Sequence, residues 1–382
     1  MMSPLKMWCL LPFAVLLLLS ITPTETEVVN EMSDCEGFLL NETLPNIPGV
    51  LEHGNIQDQN RYKVICQTYN DTRRFVTLYD TNNKIPVFSA YKYRGGQKER
   101  KRPPWMIEPQ LEDTNDKNMQ KSNKPAYQHQ ASNEDYKKNS DYNRGHLFPW
   151  SYGFERSDKI STCTLTNIVP QVNSFNNGSW QNMENCVKCV LEKYCNNSNG
   201  KIEGYVVTGA KPGTFKIKEK VNIPSMLWSA FCCYSQIEKK WIASAHWGNN
   251  TKYGPKYLET KTLEELQQEL STGNKRFQVF PGTQCPLKET VAKYYPEINE
   301  DFKIKNKNKK KETKFCPPQP TTTSPQPTTT SPQPTTTSPQ PTTTSPQPTT
   351  TSPQPTTTSP QPTTTSPQPT LKRVPASDAP QH

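Results

Sequence analysis

Three short stretches concentrate side chains able to do chemistry. The first is Asn143-Arg144-Gly145-His146 and the second is Asn167-Ile168-Val169-Pro170-Gln171. The third runs from Asn176 through Trp180 to Glu184. The chain holds only five histidines, and one of them follows Arg-Gly directly. An imidazole titrates near neutrality and can take up or release a proton. The guanidinium beside it is a permanent cation suited to an anionic group. A single histidine is ordinarily structural, Asn176-Asn177-Gly178 also reads as a turn, and Trp180 suits a core position in either case. The clustering of base, cation, amides and carboxylate raises this region above those readings.

The elements that must position these side chains are legible around them. Runs rich in β-branched and aromatic residues at 74–79, 85–92, 162–168, 205–208, 225–234 and 240–245 predict strands. Met183, Val187, Val190, Leu191 and Tyr194 keep a helical i, i+3/i+4, i+7 spacing. They predict a helix over 180–194 that begins inside the third stretch. Thr262 and Glu265 form a capping-box pair at the head of a second helix, 262–270. Strands and helices without regular βαβ alternation predict an α+β fold.

Composition divides the rest of the chain. Residues 1–24 read as a secretory signal peptide: Lys6, an apolar run over 8–19, then small and polar residues. That run of about 12 residues falls short of the roughly 20 needed to span a bilayer. No other segment is apolar enough, so a secreted protein is expected. Residues 25–302 form the expected domain, and about 280 residues suffice for one large core. A lysine-rich linker follows at 303–316. Residues 317–382 contain seven identical copies of Gln-Pro-Thr-Thr-Thr-Ser-Pro. This tail lacks apolar side chains other than proline over the repeats, so it is expected to be disordered, and its Thr/Ser density predicts an O-glycosylated, mucin-like stalk.

Cysteine and charge sharpen the division. Ten cysteines remain once Cys9 leaves with the signal, and an even number in an exported chain predicts disulfides, with the pairing open. Cys186-x-x-Cys189 has no second paired set of the kind a zinc site needs. The formal net charge is +10, yet residues 25–302 carry 35 basic and 33 acidic residues, a net +2. Bulk charge is therefore no sign of nucleic-acid binding by the domain. The excess sits mainly in the run Lys303–Lys314, which offers either a solvated linker or a polyanion contact.

Arg-Gly-His, then Asn-x-x-Pro-Gln, then Asn-x-x-x-Trp-x-x-x-Glu resembles the DNA/RNA non-specific endonucleases of the His-Me finger (ββα-metal) class. The order and spacing match across Asn143–Glu184, and weaker likeness extends over most of Cys35–Cys285. The resemblance implies an α+β His-Me finger fold and phosphodiester hydrolysis in DNA and RNA with little sequence specificity. It implies His146 as general base, Asn176 as ligand to Mg²⁺ or another divalent cation, and Glu184 orienting metal-bound water. Arg144 and Asn167 would steady the phosphate and the site, with Gln171 in support. Arg102 is similar to an upstream phosphate-binding arginine. Two positions depart from the family pattern: Asn143 stands where an Asp is usual, and Lys188 where an Arg is frequent.

Two functions follow. One is a secreted, Mg²⁺-dependent endonuclease. The other is a catalytically impaired, nuclease-like module that binds polyanions or a protein from a glycosylated stalk, motivated by Asn143, the lysine run and the repeats. Asn177 heads an Asn-x-Ser sequon directly beside Asn176, so a glycan there would restrict access by bulky duplexes.

Overall fold

The computed structural model describes residues 28–97, 103–305 and 316–318. Residues 1–24, Arg102, the lysines beyond Lys305 and the repeats therefore lie outside the described residues. The strands that frame the site are, in chain order, Val28–Val29 (β1), Tyr62–Thr68 (β2), Arg73–Asp80 (β3), Ile85–Tyr93 (β4), Tyr142–His146 (β5), Ile168–Val172 (β6), Gly204–Lys211 (β7), Met226–Ser235 (β8) and Lys240–Asn249 (β9). The helices are Arg156–Ser161 (α1), Gln181–Tyr194 (α2), Leu263–Leu270 (α3) and Tyr295–Lys305 (α4). The architecture is α+β, as expected.

Seven strands form one antiparallel sheet in the order β1-β2-β3-β4-β7-β8-β9. Side chains alternate between its faces, as strand geometry requires. On β4, Tyr91 and Tyr93 enter one core while Phe88 and Ala90 enter the other. The first core holds α2 and the separate two-stranded ribbon β5–β6. The second holds Met32, Leu39 and Leu40 together with Leu263 and Leu266 of α3. Burial on both faces is why β8 reads as a nearly continuous apolar run.

The same alternation explains the adjacent cysteines Cys232 and Cys233. They point to opposite faces and bridge to opposite layers. Cys233 joins Cys195 at the end of α2, and Cys232 joins Cys285 across the second core. Cys35–Cys66 and Cys186–Cys316 complete four disulfides. Cys163 and Cys189 carry thiols, so the expectation of disulfides holds for eight of the ten cysteines. Cys186 pairs across 130 residues rather than with its neighbour in Cys-x-x-Cys. The Cys186–Cys316 bridge also carries the folded unit past the boundary expected at residue 302.

Thr262 caps α3 as its sequence predicts. Its Oγ1 accepts from the Glu265 N–H at 3.1 Å, and the Glu265 carboxylate accepts from the Thr262 N–H at 2.8 Å. The strand predicted over 162–168 is corrected. Thr162 ends α1, with its hydroxyl donating to the Lys159 carbonyl, and Leu165–Asn167 is a 3₁₀ turn. The strand starts only at Ile168. The threonines there satisfy local backbone groups instead of facing a ladder. No described helix is long and apolar enough to cross a membrane.

Candidate active site

The first two stretches become the two strands of one ribbon. Ile168 pairs with His146, Val169 with Gly145, Pro170 with Arg144 and Gln171 with Asn143. β5 and β6 pair only with each other, which lets β6 contain a proline. The Tyr-Asn-Arg-Gly-His sequence has no apolar alternation, so nothing local marked it as a strand.

Asn167 fastens this ribbon to the main sheet. It is fully buried. Its Oδ1 accepts from the Phe148 N–H and from Ser89 Oγ, both at 2.9 Å. Its Nδ2 donates to the carbonyls of Phe148 and Thr162 at 3.1 and 3.0 Å. These bonds occupy its amide, so Asn167 holds the turn after His146 and does not face the cleft. Gln171 is also fully buried, and neither of its amide atoms has a hydrogen-bond partner among the described residues. It lies against Gly145, where an added Cβ would sit 2.1 Å from Gln171 Oε1 and 2.6 Å from its Cβ. Glycine separates Arg144 from His146 because nothing larger fits. Gly145→Ala is expected to cost about 1–3 kcal/mol through overpacking, read as a lower denaturation midpoint; an unchanged midpoint would contradict this packing.

The third stretch supplies the facing wall. A helical turn at Asn173–Phe175 passes into a π-helical turn at Asn176–Trp180 and then into α2. The helix thus begins one residue later than its spacing predicts. Wide π turns re-aim side chains within an otherwise regular helix and recur at functional sites. Asn176 and Asn177 here share one wall with Gln181, Glu184 and Asn185.

Asn143, Arg144, His146, Asn176 and Glu184 all line one cleft of about 470 Å³. Lys188 lies one turn beyond Glu184. Its Nζ donates to the Ser151 carbonyl at 2.9 Å and sits 3.8 Å from Glu192, bracing α2 against the rim. Trp105, Trp150 and Ser151 also line the cleft and carried no signal beyond the Pro-Trp steps at 104–105 and 149–150. Asn177 is exposed on the same wall.

Electrostatics distinguish the two sides of the cleft. The Arg144 guanidinium lies over the Trp105 and Tyr136 rings, 5.4 and 5.2 Å from their centroids. Its Nη2 donates to the carbonyl and side-chain oxygen of Asn133 at 3.0 and 2.8 Å, while its buried Nε has no partner among the described residues. Burial lowers its pKa, with Tyr136 and Glu134 opposing, but an arginine stays cationic at neutral pH. A held cation with an unanswered donor suits an anionic oxygen. Across the cleft, burial pushes the half-buried Glu184 carboxyl up to about 8. The Trp180 indole opposes this rise from its place beside Glu184, without completing a hydrogen bond. Tyr152 Oη donates to the Glu184 carbonyl at 2.6 Å and fixes that turn of α2. The His146 ring is 5.6 Å from Trp105, and its Nε2 is 3.8 Å from Cys163 Sγ.

Among the described residues, no group of three or more His, Cys, Asp or Glu side chains converges to hold a metal. The cleft lining instead offers one carboxylate, from Glu184, and the side-chain amides of Asn143, Asn176, Asn177, Gln181 and Asn185. Hard oxygen donors in small number suit magnesium, which keeps most of its waters, and the cleft has room for a hydrated ion.

The sequence model of the DNA/RNA non-specific endonucleases matches residues 56–284, more than half of the chain. The chain belongs to this family. The DNA/RNA non-specific endonuclease domain thus covers six of the seven strands of the main sheet (β2–β4 and β7–β9), the ribbon and α2. Human endonuclease domain-containing 1 protein is 34% identical over 182 residues, which cover 44% of this chain and 34% of that protein. The mouse protein of that name is 31% identical over 209 residues, covering 52% and 38% respectively. The chain thus spans little more than a third of the length of these relatives. A chain in a crystal structure of the EndoG/EndoGI complex, which describes EndoG inhibition, aligns with a TM-score of 0.39 at 18% identity. That alignment covers 52% of this chain and 81% of that one.

Proposed function

We propose that this protein is a secreted, divalent-cation-dependent endonuclease that hydrolyses DNA and RNA with little sequence preference. The observation that carries the reading is the meeting of His146, Arg144, Asn176 and Glu184, from a ribbon and a helix, in one cleft. His146 takes the proton from the attacking water, a role suited to an imidazole at neutral pH. Arg144 binds a non-bridging phosphate oxygen, held for that purpose by the two rings and Asn133. Asn176 and Glu184 would hold hydrated Mg²⁺. When bound, the cation supplies charge stabilisation at the leaving oxygen. Asn167, Gln171 and Lys188 position the walls, and Arg102 completes the assignment as an upstream phosphate contact. Phosphate contacts position a strand without reading its bases, which accounts for low specificity. Export is supported by the signal-like N-terminus and by four disulfides.

The test is plasmid nicking by the purified full chain. Conversion of supercoiled plasmid is expected in Mg²⁺, with loss in EDTA and recovery on adding Mg²⁺ back. Equal rates with and without the chelator would overturn the cation dependence.

A second reading rests on Asn143. It lines the cleft beside the base without the carboxylate usual in the family, which favours a module that binds polyanions or a protein from a glycosylated stalk without cutting. In that case nucleic acid binds in a salt-sensitive manner with no turnover. The lysine run Lys303–Lys314 belongs to this reading as the polyanion contact.

A further inference from the structure

The loop after β9 carries a doubled motif, Lys252-Tyr253-Gly254-Pro255-Lys256-Tyr257, that the site described above does not use. Each lysine lies over the ring of the tyrosine that follows it. Lys252 Nζ is 5.7 Å from the Tyr253 centroid, and Lys256 Nζ is 5.2 Å from that of Tyr257. Tyr253 is 84% exposed, the most exposed large apolar side chain among the described residues. Among those residues, neither lysine forms an ion pair. A tyrosine ring left in water is unfavourable by the hydrophobic effect, and two lysines beside it leave a local positive surface.

The loop is nevertheless anchored. Asn250 is buried and donates to the carbonyls of Pro170 and Pro224, both at 3.0 Å, while accepting from the Val172 N–H at 2.8 Å. Ser174 Oγ donates to the Lys252 carbonyl at 2.8 Å, and Asn182 Nδ2 donates to the Lys256 carbonyl at 3.0 Å. Ser174 lies two residues before Asn176, and Asn182 two residues before Glu184. The elements that carry the cleft therefore also hold the backbone of this loop and present its side chains outward. On α2, Asn182 is on the flank of the face formed by Gln181, Glu184 and Asn185. The loop backbone is thus held on the flank of α2 next to the cleft face. A cavity of about 580 Å³ opens beside it, lined in part by Trp247, Tyr253 and Tyr257. Two carboxylates share that cavity: Glu259, which pairs with Lys261 at 2.7 Å, and Glu269.

We infer that the Lys252–Tyr257 loop is a binding subsite for single-stranded nucleic acid, in which a base stacks on Tyr253 while Lys252 and Lys256 neutralise the flanking phosphates. Base–aromatic stacking needs an exposed π face, here the side of the Tyr253 ring away from Lys252, and phosphates need cations beside it. A duplex keeps its bases inside the stack and gains only the phosphate part. The inference rests on the nuclease reading and adds a preference to it: strands with unpaired bases near the scissile bond are held more tightly than intact duplex.

The test is fluorescence anisotropy of the full chain in EDTA, so that binding is measured without cleavage. The probes are a short labelled single strand and its matched duplex. Tyr253→Ala is expected to weaken single-strand binding about tenfold, with duplex binding changed less than twofold and Tyr253→Phe close to wild type. Lys252→Ala/Lys256→Ala is expected to lower the log–log salt slope for the single strand by about 1.4. Unchanged single-strand affinity in Tyr253→Ala would overturn the inference, as would equal losses for both probes. Tyr253 is exposed, so an unaltered denaturation midpoint verifies that the variant is folded. The two readings fail separately. Plasmid nicking with no effect of Tyr253 removes the subsite alone, and a Tyr253-dependent single-strand preference without any nicking removes the nuclease reading alone.

Discussion

His146→Ala is expected to lower the rate of plasmid nicking in Mg²⁺ by about 10²–10⁴-fold, the usual contribution of a positioned general base. The denaturation midpoint should move little, because the ring lines a cleft and is not packed on all sides. The imidazole sits at the end of β5, where Ile168 pairs opposite and Asn167 holds the next turn. Removing the ring leaves that scaffold intact, as well as Arg144, Asn176 and Glu184. A residual rate above background is therefore expected, still abolished by EDTA. Equal rates in variant and wild type would remove His146 from the mechanism. A large loss accompanied by unfolding would instead make it a structural residue.

Glu184→Gln should separate chemistry from stability. Loss of the carboxylate that would help hold the hydrated cation is expected to reduce nicking by about 10–100-fold, the range seen when groups around a metal are removed. Stability should move the other way, with a defined sign. In EDTA the Glu184 pKa is raised by burial to about 8, above the ordinary 4.5. The folded state then binds more protons than the unfolded state between those two values. Wild-type stability therefore falls as pH rises from about 4.5 through about 8, and the full cost is present above that. Glutamine carries no charge to desolvate. Glu184→Gln should thus match the wild type at low pH and exceed it near pH 9 by about 1–2 kcal/mol, discounted for solvent at the cleft. Thermal melts across that range in EDTA check it. A variant no more stable than wild type at high pH would show that the carboxylate is well solvated.

The elements were unevenly legible before folding, for reasons specific to each. The capping box at Thr262 and Glu265 acts within one turn, so its residues predict it and the structure contains it. The α2 periodicity likewise survives, because Met183, Val187, Val190, Leu191 and Tyr194 all face one core. β5 carries no strand pattern in its sequence, because a ribbon paired with a single neighbour needs no alternation. The run at 162–168 misled because β-branched threonines also serve helix ends and turns. The π turn at Asn176–Trp180 has no simple periodic signature. Yet it brings Asn176 and Asn177 onto the wall shared with Glu184.

The sequence by itself determined the family, through residue types at fixed spacing, and the α+β class, through periodicities that local backbone geometry enforces. It also set the expectation of disulfides, because cysteine number is a property of composition. Only the tertiary structure decided which cysteines meet. Adjacent Cys232 and Cys233 must point to opposite sides of a sheet whose two layers come from distant parts of the chain. Only the tertiary structure separated Arg144, His146, Asn176 and Glu184, which line the cleft, from Asn167 and Gln171, which stand behind it. Whether a polar side chain faces water or backbone depends on strand register and on what packs behind the strand. Contacts such as that between Ser89 and Asn167, 78 residues apart, settle this, and no local pattern encodes them.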